Sequence, residues 1–345
     1  MSVAYVLNIG SDNVSVIDTK THSVIVTVQV GELGFSADME ITPDGKLAYV
    51  VSGGLPPNFD GSVSVIDVKT HSVISSVQVG GWPFDLAFTP DGKLAYVTNS
   101  LEGTVSVIDT KTHCVIATVQ VGGSPEAIAF TPDGKLAYVT DTRNEDSISV
   151  IDVKTHSVIA TVQVGGNPKS IALTPDGKLA YVTDTRNEDS VSVIDVKTHS
   201  VIAAVQAGNN PDLIAITPDG ELAYVSSSDG TVSVIDVKTH SVIATVQVGG
   251  SPEAVAFTPD GKLAYVTDTG NGPSVSIFDV KTHSVITTVQ VGDNPQDIAF
   301  IPDGKFAYVA NSLEGTVSVI DTKQHSVIGT VQVENFPFKI TIAPD

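Results

Sequence analysis

Carboxylates are the side chains of this chain best placed to do chemistry. Glu40 stands out, because the matching residue of the repeat set out below is alanine in six units and Thr341 in the other. A carboxyl group that is buried without a partner holds its proton longer than usual, which suits general acid–base work. Asp38, Asp85, Glu126, Asp212, Glu253 and Asp297 occupy neighbouring positions in their own units, with Lys169 and Lys339 among them. Such a ring could hold a hard divalent cation such as calcium through oxygen ligands. No compact ligand spacing supports a metal, so the expectation is that no cofactor is bound.

Other reactive side chains are repeated rather than unique. The eight histidines (His22, His71, His113, His156, His199, His240, His283, His325) share one repeat position, too far apart to share a metal. They read as turn residues copied by duplication. The eight tyrosines likewise share one position and read as core. Cys114 is the only cysteine, which excludes an intramolecular disulfide, a multi-cysteine metal site and Cys-x-x-Cys-His haem attachment. Asp141–Asp146 and Asp184–Asp189 are identical and read as duplicated solvated loops.

Aromatic residues break the repeat in one sector. Phe88, Phe130, Phe257, Phe278, Phe300 and Phe306 take ordinary core positions. Phe35, Phe59, Trp82, Phe84, Phe336 and Phe338 do not, and all six map to three consecutive units. The same sector holds the insertions before Glu40 and within 52–61. Grouped aromatics with polar neighbours suit a sugar, a peptide or an apolar partner. The competing reading is a plug for a wide channel.

The elements that position these residues follow from the period. The aspartate that ends the third apolar run recurs at Asp18, Asp67, Asp109, Asp152, Asp195, Asp236, Asp279 and Asp321, at spacings of 49, 42, 43, 43, 41, 43 and 42. A period of ~40–45 residues is that of a four-stranded propeller blade. Each unit parses into four short β-branched runs, a to d, with Pro-Asp-Gly between a and b. No helix-period patterning is present. The chain opens in a b run at Ala4-Tyr5-Val6 and finishes in an a run at Lys339–Asp345. The last a strand is therefore expected to complete the first blade and cover its open edge. The prediction is an all-β, eight-bladed propeller of four-stranded antiparallel blades, one domain over 1–345.

Charge divides between the two faces. Formal net charge is −21. The a–b and c–d turns of the bottom face are monotonous and hold a net −3, leaving −18 for the variable b–c and d–a loops of the top. An acidic face repels phosphate backbones and anionic lipid, so neither nucleic acid nor membrane is expected as a partner. No run approaches the ~18–20 apolar residues of a membrane span, and no signal peptide is expected at the start.

Tyr96-Val97-Thr98-Asn99, with Pro-Asp-Gly-Lys, Val-Ser-Val-Ile-Asp and Val-Ile-Ala-Thr-Val, resembles the YVTN-type β-propeller repeat along essentially the whole chain. That resemblance implies a surface-layer or periplasmic propeller and hence an extracytoplasmic location. It also implies seven blades, where eight are read here.

The functional expectation is a non-enzymatic scaffold that binds a protein, peptide or carbohydrate ligand, with a cationic one favoured. Its site would be Phe35, Phe59, Trp82, Phe84, Phe336, Phe338, Asp38, Glu40, Asp85, Glu126, Asp212 and Lys339. The alternatives are a channel-mouth lyase or lactonase-like hydrolase using carboxylates and a divalent metal, or a purely structural repeat.

Overall fold

Alternating β-branched runs separated by proline, aspartate and glycine fold into thirty-two strands in eight four-stranded antiparallel sheets, in a computed structural model. Residues 2–34, 37–57, 59–142, 146–186, 189–270 and 272–344 are described, Arg186 by its backbone only. Blade 1 consists of Val3–Asn8, Asn13–Asp18 and Ser23–Gln29 with Pro337–Ala343 as its strand a. Blades 2 to 8 follow in chain order, with strands a at Ala37–Ile41, Pro83–Phe88, Pro125–Phe130, Gly166–Leu173, Pro211–Ile216, Pro252–Phe257 and Pro295–Phe300. No helix among the described residues is long and apolar enough to cross a membrane.

The closing strand pairs antiparallel with Val3–Asn8, Val3 opposite Ala343 and Asn8 opposite Pro337. Blade 1 thus joins the two ends of the chain, as the split repeat predicts. Strands b and c are almost wholly buried, because blades stack face to face around the ring. One such interface packs Tyr49, Val51 and Val65 of blade 2 against Leu86, Phe88 and Val97 of blade 3. Full burial of one such aliphatic side chain contributes about 1.5–3 kcal/mol.

Strand a of blade 2 departs from the others. In the other seven blades the a–b pairing is bulged just after a proline, as between Pro83 and Leu86. Proline lacks the amide that a regular ladder needs, so a bulge accommodates it. Ser36 replaces that proline in blade 2, and Ala37–Ile41 pairs with Leu47–Ser52 without a bulge.

The histidines do more than turn the chain. Each lies in the left-handed region, φ 50–55°, closing a c–d turn through its amide to the c-strand aspartate carbonyl. Seven of the eight then place Nδ1 against a buried tyrosine hydroxyl of the preceding blade, as in Tyr181–His240 at 2.9 Å. The Tyr308–His22 bond, 2.7 Å, ties blade 8 to blade 1. At the eighth position Tyr224 Oη and His283 Nδ1 are buried without a partner.

This exception supplies an internal control. Tyr181→Phe is expected to lower unfolding free energy by about 1–2 kcal/mol, since a buried hydrogen bond is lost and His240 is stranded. Tyr224→Phe should cost less than half of that, and urea unfolding of both checks it. Equal losses would show that the hydroxyl–imidazole bonds do not hold the blades. Burial holds His22 and His71 below the usual histidine range, with the charge of the neighbouring aspartate opposing. The native state therefore binds fewer protons there than the unfolded chain, and this part of the stability is lost as pH falls below about 6.5.

Candidate active site at the channel mouth

The top end of the central channel opens into a cavity of about 460 Å³. Its wall is built from the first residues of the eight a strands, because strand a is the innermost of each blade. The residue after the repeat proline forms an outer ring, running from blade 2 to blade 1 as Ala37, Phe84, Glu126, Lys169, Asp212, Glu253, Gln296 and Phe338. The next residue forms an inner ring, which includes Asp38, Asp85, Asp297 and Lys339.

These four inner-ring groups come from blades 2, 3, 8 and 1, which are consecutive around the closed ring. Each carboxylate reaches sideways to an amide of the next blade. Leu86 N–H donates to Asp38 Oδ2 at 3.2 Å, Ile128 N–H to Asp85 Oδ2 at 2.8 Å, and Ile340 N–H to Asp297 Oδ2 at 2.9 Å. The inner edge of strand a has amides without a ladder partner, so these aspartates satisfy them. That structural duty was not legible in the sequence. Lys339 Nζ stands 3.7 Å from Asp38 Oδ1, and on the opposite wall Lys169 pairs with Asp212 at 2.6 Å.

Glu40 lies two residues beyond Asp38 on the same side of the strand, below the lining of the mouth and only partly buried. Four carboxyl groups thus face one ammonium group. Glu40 is pushed up to about 8, first by burial and then by the charge of Asp38, against the opposing pull of Lys339 and an amide hydrogen bond from Phe88. Asp85 and Asp297 are also raised, chiefly by burial, Asp85 well above the usual range. Lys339 is held protonated by Asp297 and Asp38. The arrangement provides a carboxyl group that takes and returns a proton near neutral pH beside a fixed cation.

The aromatic residues divide. Phe84 and Phe338 are 44% and 38% exposed and line the mouth on either side of Ala37. Phe59 and Trp82 stack on one another outside it, rings 5.2 Å apart at 11°. Phe336 is exposed on the rim, its ring against Gly10. Phe35 lies outside the described residues, as do 143–145 and 187–188 of the two identical loops. The first residues of those loops are not solvated. Asp141 and Asp184 are fully buried, accepting hydrogen bonds from Ser149 and Ser192.

A family model for the seven-bladed lactonase β-propeller matches residues 75–202 and 247–336, and one for the cytochrome D1 haem domain matches 2–127 and 179–282. Each covers well over half of the chain. The chain belongs to the lactonase and cytochrome D1 haem-domain families of propellers. It carries eight blades where the lactonase description has seven. Among solved structures, the dihydro-haem d1 dehydrogenase NirN in complex with DHE is 17% identical, with a TM-score of 0.84 over 98% of this chain and 74% of that one. The hydrazine synthase of Kuenenia stuttgartiensis is 22% identical, with a TM-score of 0.63 over 76% of this chain and 95% of that one. At these identities the likeness is one of fold. No curated protein matches the sequence.

These memberships overturn three expectations. The chain is not read as a plain scaffold, since its families are those of enzymes and haem-carrying propellers. The expectations of no enzymatic activity and no cofactor fall on the same finding. The sequence reading singled out these carboxylates but favoured a scaffold, because no histidine, cysteine or tyrosine is unique to the top face and no compact ligand spacing supports a metal.

Haem can be tested against the residues present. Histidine, cysteine, methionine and tyrosine are the side chains that ordinarily ligate haem iron. None of them lines the mouth among the described residues. The histidines lie at the opposite face, Met39 is buried in a blade core, and Cys114 is on an outer strand. The carboxylate-rich wall also opposes an anionic macrocycle. The residues of this mouth do not fit a haem held through its iron. Nor do three or more histidine, cysteine or acidic side chains converge as a metal site among the described residues.

Proposed function

We propose that the channel mouth is the active site of a hydrolase that opens a small, uncharged or cationic lactone. The observation that carries this reading is the one-sided cluster of Glu40, Asp38, Asp85, Asp297 and Lys339 beside Phe84 and Phe338. Membership of the lactonase propeller family supports it. Phe84 and Phe338 would pack against the faces of the ring, on either side of the small side chain of Ala37.

In the proposed reaction, Glu40 as a carboxylate takes a proton from water while the water oxygen bonds to the lactone carbonyl carbon. The carbonyl electron pair moves to oxygen beside the Lys339 ammonium group, which stabilises the developing charge. Collapse of this adduct re-forms the carbonyl and breaks the bond to the ring oxygen, which takes the proton back from Glu40. The product is the open hydroxy acid. Asp38 and Asp297 keep Lys339 charged and in place, acting as positioning residues.

Neutral five- and six-membered lactones, supplied as a panel and followed by acid release at constant pH, test the reading. Turnover is expected, and Phe84→Ala with Phe338→Ala should raise KM about tenfold or more, the scale of two lost ring contacts. A panel left intact by the purified chain would rule the reading out. The −18 top face further supports a reading without nucleic-acid or membrane partners, which a salt-sensitive gel shift would contradict. The YVTN-type repeat and an extracytoplasmic location remain part of the proposal, supported by Tyr96–Asn99 and its copies.

A further inference from the structure

Among the described residues, the strained aromatic pair beside the mouth belongs to no hydrophobic core. Phe59 and Trp82 both hold left-handed backbone, at φ 52° and 50°. Bulky side chains rarely adopt it, and such outliers cluster at ligand-binding positions. The residue matching Trp82 is Asn167, Asn210 and Asn294 in three other blades, also at positive φ. Asparagine tolerates that conformation, so this chain has exchanged a comfortable residue for an uncomfortable one.

Among the described residues, no core contact repays the exchange. Neither ring joins the blade 2–blade 3 core around Tyr49, Leu86 and Phe88, and both remain part-exposed. The pair is nevertheless held firmly. Trp82 N–H donates to the Phe59 carbonyl at 3.1 Å, and the Trp82 carbonyl accepts from Ser100 N–H at 3.0 Å. The rings are stacked near-parallel, so the pair offers a flat outer ring face as a platform rather than a box. Exposed Asp60 follows Phe59, and Leu101 and Glu102 flank the Gly81 that precedes Trp82. Phe84, two residues further on, lines the mouth.

We infer that the Phe59–Trp82 stack is an outer subsite that binds a saccharide ring. A flat platform suits a ring with an apolar face, whereas a compact ammonium group is better held by a box of rings. Carboxylates in open water give a cation little affinity. They do accept hydrogen bonds from hydroxyl groups at a ring edge, which Asp60 and Glu102 are placed to do. Phosphate-bearing rings are repelled by the acidic face. The inference goes beyond the hydrolytic reading of the mouth and does not require it.

Trp82 is the only tryptophan, so its fluorescence reports on the platform alone. Cellohexaose, chitohexaose, laminarihexaose and maltohexaose are titrated, with calorimetry in parallel. At least one is expected to change the emission saturably. By calorimetry, Trp82→Ala and Phe59→Ala should each weaken binding about tenfold or more, the scale of a lost stacking contact. Trp82→Phe should retain most of it, and thermal midpoints should hold. Glu40→Gln should bind the sugar as the parent does, so failure of the hydrolase reading leaves this result standing. The inference is overturned if no oligosaccharide gives heat or changes emission, or if both alanine variants bind as the parent does. Saturation by tetramethylammonium instead of sugar would overturn it as well.

Discussion

Removing residues 337–345 should turn a cooperatively folding protein into an aggregating chain. The deleted strand supplies the whole inner edge of blade 1 and buries Ile340 and Ala343, which are 3% and 1% exposed. Its loss uncovers the backbone edge of Val3–Asn8, whose side chains are all buried. An exposed apolar strand edge is a template for pairing with another chain. Ile340 alone is worth about 2–5 kcal/mol as a truncation, and whole domains hold only about 5–15 kcal/mol. The loss should therefore remove most of the net stability. Light scattering and urea unfolding measure it, and a synthetic peptide of residues 337–345 added in trans should restore solubility. A soluble truncation with an unchanged midpoint would show that the ring does not depend on this strand.

Replacing Glu40 by glutamine should separate catalysis from stability, because the two respond with opposite sign. With its proton held up to about 8, the carboxyl group becomes an effective base only as pH rises. Parent kcat should climb with pH and level off above about 8, while Glu40→Gln should lose about 10²–10⁴-fold, the usual worth of a general base. Stability runs the other way. The folded chain keeps the Glu40 proton to higher pH than the unfolded chain, so unfolding free energy falls between about 4.5 and 8. Glutamine has no proton to lose, so the variant should be less pH-dependent and more stable than the parent at pH 9. The expected gain is on the order of a few kcal/mol. A variant that loses stability at pH 9 and keeps its turnover would exclude Glu40 as the base.

Asp85 and Asp297 share the same enclosure, so the activity profile reports the coupled cluster rather than one group. The difference between parent and Glu40→Gln isolates the part that belongs to Glu40. Asp297→Asn is less informative, since it also disturbs the acceptor of Ile340 N–H that ties blade 8 to the closing strand.

Strand order, blade count and the closing strand were legible from the sequence because they depend on local chemistry repeated eight times. Period-2 alternation places Val14, Val16 and their copies, proline and glycine end the hairpins, and the split repeat assigns Lys339–Asp345 to blade 1. Glu40 was visible as a residue out of register with its copies, and the six odd aromatics were visible in the same way. Their functions were not, because a departure from a repeat says where selection differs and not what a side chain touches.

Three facts required the folded ring. His240 and its copies look like solvent-facing turn residues, yet the stacking of blades brings seven of them onto buried tyrosine hydroxyls about sixty residues away, or across the ends of the chain in the case of His22. Asp38, Asp85 and Asp297 read as free ring acids, yet adjacent inner strands lie close enough for each to cap a neighbour's amide. Lys339 is remote in sequence from Asp38, and closure makes their blades adjacent, which sets the pull of Lys339 against the burial and the Asp38 charge that raise Glu40. Periodicity in the sequence determined the blades, since each hairpin forms from contiguous residues. Only the closed ring decided the site, since the proton affinity of a carboxyl depends on charges and burial contributed by residues three hundred positions apart.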